Sequence, residues 1–164
     1  MRDRPGDGLL DPVAVLALAV LIINDHTLKA LAHGTPWTVL TGKLSDIAGV
    51  LFLPVLIIGV VELIARQTIG PRGATIVAVA VAVMFTLMKT VDAVGAAYAH
   101  TLGALQWPVR AAFAALQGQP TPALVPVVHV VDPTDVVAVL AAPYVVYRAK
   151  RRALRNERGP AAEP

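Results

Sequence analysis

The chain has 164 residues, of which 56% are hydrophobic and 15% charged, with a formal net charge of +3 and no cysteine. Ordinary soluble domains are less apolar and about 25% charged, so this balance argues against a soluble globular enzyme and against disorder. The lack of cysteine excludes disulfide scaffolds, thiolate metal sites, iron–sulfur clusters and cysteine nucleophiles.

A membrane-crossing helix needs roughly 20 mostly apolar residues. In chain order the sequence predicts spans over about 9–31, 44–65, 74–99 and 133–148, the last being the shortest. Val and Ile are abundant, but these runs are apolar on consecutive positions. Barrel strands would alternate, so helices are expected. The first span begins after Arg2 and Arg4, and Ala30-Leu31-Ala32 resembles a cleavage site, but the charged approach Asn24–Lys29 argues against a cleaved signal peptide. His33 and Gly34 read as the turn after this span. Pro54 and Pro143 are expected inside helices, where they would kink them. In the long loop from about 100 to 131, Gln106–Gln117 suits a short interfacial or re-entrant helix, and the prolines of Gly118–Pro126 predict extended chain. The fold class expected is all-α: a polytopic four-helix membrane bundle. Residues 1–150 form one transmembrane domain, and 151–164 form a basic, partly disordered tail.

Lys and Arg set the orientation. Arg2, Arg4, Arg66, Arg72 and the run Arg148, Lys150, Arg151, Arg152, Arg155 and Arg158 fall on one side, whereas Lys29, Lys43 and Arg110 fall on the other. Four spans with both termini in the cytoplasm of a bacterial inner membrane fit this split. The basic tail reads as a topology anchor, not a nucleic-acid site. Trp37, Trp107, Tyr144 and Tyr147 fit interfacial belts.

Charges inside a bilayer are costly and need partners or a function. Here they gather at span ends: Asn24, Asp25, His26 and Lys29; Lys43, Ser45 and Asp46; Lys89, Asp92 and His100; His129, Asp132 and Asp135. With both termini inside, all four groups fall at the extracytoplasmic end. Asp25 with Lys29, Lys43 with Asp46, and Lys89 with Asp92 share helix faces, and K-x-x-D-x-x-G occurs at both Lys43–Gly49 and Lys89–Gly95. One reading is a site for an anionic envelope component, lipid-linked or phosphorylated. In it Lys29, Lys43 and Lys89 grip the anion, Asn24, Asp25, His26, Ser45 and Asp132 complete the binding site, and Asp46, Asp92 and Asp135 do acid–base work. A divalent metal is a second reading, with His26, His100, His129 and Asp132 as candidate ligands. A third is an ion-pair network that only fixes helix packing, in a structural or partner-binding subunit. A proton- or ion-coupled carrier is a fourth, weakened because only Glu62 lies deep toward the cytoplasm. Arg66, one turn on, is its expected partner.

The segments NDHTLK (Asn24–Lys29), LTGKLSDIAG (Leu40–Gly49) and DPTD (Asp132–Asp135) resemble the signature stretches of a family of uncharacterised bacterial integral membrane proteins. That resemblance implies a membrane bundle and brings no activity with it. The chain is also similar in architecture to the VanZ-like family associated with glycopeptide resistance, whose helices carry charged motifs near their ends. It lacks that family's Glu-x-x-Gln pair.

Overall fold

The computed structural model describes residues 4–157. Arg2, Arg158 and the Gly159–Pro164 tail, expected to be disordered, lie outside the described residues. Among the described residues the chain is helical with no strand. A short 3-10 turn, Asp7–Leu10, leads into α1, Pro12–Ala32. There follow α2 (Trp37–Ala65), α3 (Pro71–Thr90), α4 (Asp92–Leu116), a 3-10 segment (Pro133–Ala141) and α5 (Pro143–Glu157). The three helices α1, α2 and α3 are each long and apolar enough to cross a membrane.

Local chemistry explains the boundaries. Asp11 caps α1: its carboxylate accepts from the Val13 and Ala14 amides, and Pro12 occupies the first helical position. His33 and Gly34 form the turn after α1, as expected. Pro54 lies inside α2, also as expected. Pro143 instead opens α5, where its missing N–H costs nothing, so it does not kink a helix.

The predicted third span, 74–99, is two helices. Val91 is extended (φ −122°, ψ 110°), and its carbonyl accepts from Val94 and Gly95 to start α4. Asp92 in the first turn of α4 suits the positive end of the helix dipole. The short helix expected at 106–117 is therefore the C-terminal half of the 25-residue α4. That helix ends where Gly118 adopts φ 66°, the Gln119 amide reaches the Ala114 carbonyl and the Gly118 amide reaches Ala115. This is a Schellman stop, and extended chain follows. The fourth predicted span is likewise divided, into the 3-10 segment and α5. Residues 151–157 of the expected tail are helical.

The described chain forms two compact units. Of the described residues, the first comprises 4–85 and 137–157, and the second 86–136. In the first unit Ala14, Val55, Ile58, Ala74, Ala78 and Val145 form the core. Small alanines pack the helices together, while Leu16, Leu53, Ile64, Ile76 and Met84 face outward. A soluble protein does the reverse. Close approach through small residues, with large aliphatics outside, is how helices pack in lipid.

The first unit also has a basic end. The Glu62 carboxylate, fully buried, accepts from Arg152 (2.7 Å), from the Gly6 amide (2.9 Å) and from the Ile69 amide (2.7 Å). Arg152 also donates to the Arg4 carbonyl (2.6 Å). Asp11 accepts from Arg148 and Tyr144, both at 2.8 Å. The N-terminal segment, the α2–α3 loop and α5 thus meet at the same end of α2. The partner of Glu62 is Arg152, not the expected Arg66, which takes φ 54° as the helix ends. At that left-handed position the residue lies beyond the helical turn that would have carried its side chain back over Glu62.

Candidate functional site

The Asn24–Lys29 stretch does not continue α1 as an ordinary helix. Asn24–Leu28 forms a π turn between two α-helical stretches. π turns insert an extra residue into a helix and are frequent at functional sites. Here the turn aims Asn24 inward at the first turns of α2 and leaves Asp25 and Lys29 at the surface.

Asn24 is fully buried. Its amide nitrogen donates to the Thr41 carbonyl (2.7 Å) and to the Ser45 hydroxyl (2.6 Å). The Thr41 carbonyl only accepts, which fixes the orientation of the carboxamide. The Ser45 hydroxyl then donates to Asp25 (2.7 Å), and Asp25 pairs with Lys29 at 2.7 Å. The result is one continuous chain, from the Thr41 backbone through Asn24 and Ser45 to a carboxylate–ammonium pair. The inner members are buried, and the Asp25 and Lys29 side chains are 46% and 43% exposed. One atom is left over: Asn24 Oδ1 is buried without a hydrogen-bond donor. Such an acceptor is rare in a folded protein because its desolvation goes uncompensated.

In the second unit, Lys89 at the end of α3 pairs with Asp135 at 2.7 Å. Both side chains are nearly buried, at 9% and 11% exposure. The expected partner was Asp92, three residues on. The break at Val91 starts a new helix before Asp92, so the two no longer share a helical face, and Asp92 is exposed. Nearby in sequence, His129 bonds the Met88 carbonyl (3.1 Å) and stands edge-on to Tyr98. Because a carbonyl only accepts, His129 Nε2 carries the proton. Asp132 Oδ1 accepts from the Thr134 amide (2.9 Å), which turns the chain into the 3-10 segment.

Asn24, Asp25, Lys29 and Ser45 are thus brought together, joined by Thr41, which the sequence did not single out. Lys89 and Asp135 form their own pair. Lys43 and Asp46 are half-buried in α2, whereas His26 and His100 are exposed. Among the described residues no three His, Asp or Glu side chains are grouped so as to hold a metal ion.

The fold and site together define an all-helical protein with three helices suited to a membrane and a polar π-turn cluster at the end of the first. Compared with known protein families, curated proteins and solved structures, the chain matches none.

Proposed function

We propose that the chain is a small multi-pass protein of the bacterial cytoplasmic membrane, with both termini in the cytoplasm. Its π-turn cluster binds or processes an anionic envelope component, lipid-linked or phosphorylated. The orientation rests on the basic end: Arg4, Arg66, Arg72, Arg148 and Arg152 belong to segments that meet at one end of α2, the side that favours the cytosol. The π turn, at the far end of α1, then faces outward.

The single observation that carries the site is Asn24 Oδ1, a buried acceptor beside a half-exposed ion pair. A ligand hydroxyl or amide supplies the donor, directly or through a bridging water. Lys29 gives up little on exchanging Asp25 for a phosphate oxygen, because exposed ion pairs are worth about 1 kcal/mol or less. Asp25, oriented by Ser45, is then the carboxylate placed to take a proton. Lys43 and Asp46 flank Ser45 in sequence and extend the polar face. Between Asp46 and Glu62, α2 carries no ionisable residue, which disfavours a transport path along it.

The packing reading has its own support in the second unit, where the nearly buried Lys89–Asp135 pair has the form of a helix-fixing contact. For that half the pair is assigned to structure and not to the anion.

Native mass spectrometry of protein released from its own membrane tests the proposal. The expected result is a phosphorylated or lipid-linked adduct on the wild type that disappears in Lys29→Ala, with an unchanged circular dichroism spectrum. The same adduct on both proteins, or none on the wild type, removes the reading.

A further inference from the structure

The cations of the molecule divide by what they already hold. Lys29, Lys89, Arg148 and Arg152 each have a carboxylate within 2.8 Å. Arg110, on the C-terminal half of α4, is different: among the described residues no carboxylate pairs with it. It opens instead on a cavity.

That cavity is a product of the Schellman stop. After Gly118 the chain doubles back along α4, and the Trp107 indole N–H donates to the Pro122 carbonyl at 2.8 Å, pinning the returning segment. The open groove between them holds about 330 Å³. Its walls are Arg110, the apolar Val109, Phe113 and Pro122, and the carboxamides of Gln117 and Gln119. The lining combines one permanent cation, neutral donors and an aromatic ring, and it includes no acid. Small-molecule sites run from roughly 300 to 1,000 Å³, so a head group fits and acyl chains do not. The chains have a place beside it, because Val109, Phe113 and Leu116 are all exposed along α4.

We propose that this cavity binds the head group of an anionic phospholipid. The Arg110 guanidinium takes two phosphate oxygens in its planar fork. Gln117 donates from the end of α4 and Gln119 from the returning segment, and the acyl chains lie on Val109, Phe113 and Leu116. The assignment does not rest on the π-turn reading: it uses a different cation in the other unit.

The chain has two tryptophans, and Trp37 is exposed, so Trp37→Phe leaves Trp107, bonded to Pro122 of the cavity wall, as the only indole. This protein, in phosphatidylcholine nanodiscs, is titrated with dihexanoyl phosphatidic acid, dihexanoyl phosphatidylcholine or inorganic phosphate. The expected result is a saturable change in Trp107 emission with the phosphatidic acid alone. Arg110→Gln should weaken it at least tenfold and Phe113→Ala at least threefold, whereas Lys29→Ala should leave it unchanged. An unaltered curve for Arg110→Gln overturns the proposal, as does loss of the response in Lys29→Ala. Binding of inorganic phosphate as tight as that of the lipid overturns the phospholipid assignment.

Discussion

Among the described residues Glu62 is the largest fully buried side chain, and it is a carboxylate. Burial on this scale is tolerated because one guanidinium and two backbone amides face it at 2.7 to 2.9 Å. Removing one partner of a buried pair leaves the other uncompensated, at about 3–5 kcal/mol. Arg152→Met should therefore lower the thermal midpoint in detergent far more than Arg151→Met, whose side chain is exposed over Tyr147. Equal effects would show that the ion pair does not hold the basic end. The same reasoning applies to Lys89 and Asp135. Lys89→Met alone should destabilise by several kcal/mol, and Lys89→Met with Asp135→Leu should recover most of the loss, because an apolar pair of similar volume removes both desolvation penalties. A charge swap between Lys89 and Asp92, which their spacing suggests, should not rescue.

Among the elements, α4 and the extended strap that follows it depend on one residue. At Gly103 a Cβ would collide with the Val125 carbonyl and the Pro126 backbone, where Val125 to Val131 runs along the Gly95, Ala99 and Gly103 face of the helix. The Val127 amide donates to the Ala99 carbonyl at 3.0 Å, so the strap is held by a backbone bond as well as by contact. Gly103→Ala should displace the strap, and hydrogen exchange at the Val127 amide should rise by at least tenfold. Retained protection would mean that the strap tolerates the extra methyl. Leu105→Ala, at an exposed site on the same helix, is the control and should leave the exchange unaltered.

For the whole molecule, two features determine behaviour. The outward aliphatics of α1, α2 and α3 need a membrane or detergent to cover them, and the basic end ties both terminal segments to α2. The second feature makes stability depend on pH. Burial pushes the Asp11 carboxyl up, but the Tyr144 hydroxyl and then Arg148 outweigh it and hold the group below its ordinary value of 3.8. A carboxylate held low in the folded state stabilises fully above its unfolded value, and that contribution is lost as pH falls through the folded one. The thermal midpoint of the wild type should therefore fall as pH is lowered through and below 3.8, and Asp11→Asn, already weaker at neutral pH, should show a shallower decline. Parallel curves would remove Asp11 from the acid response.

The helical class and the first two stretches long and apolar enough to cross a membrane were legible because they rest on local properties. Twenty apolar residues in a row satisfy their own backbone only as a helix. The π-turn residues were visible as charges out of place in an apolar run. Their connection was partly visible as well, since Asp25 and Lys29 are four residues apart and need no tertiary contact to meet.

Tertiary structure alone decided the remaining partners. Local spacing favours Asp92 over Asp135 as the mate of Lys89, and Arg66 over Arg152 as the mate of Glu62, and the structure overrides both. Those choices turn on which distant segment comes within 3 Å of a buried charge. Thr41 as the anchor of Asn24 escaped the sequence because its backbone carbonyl, not its side chain, is the acceptor. The cavity at Arg110 escaped it because it exists only once the chain doubles back past Gly118.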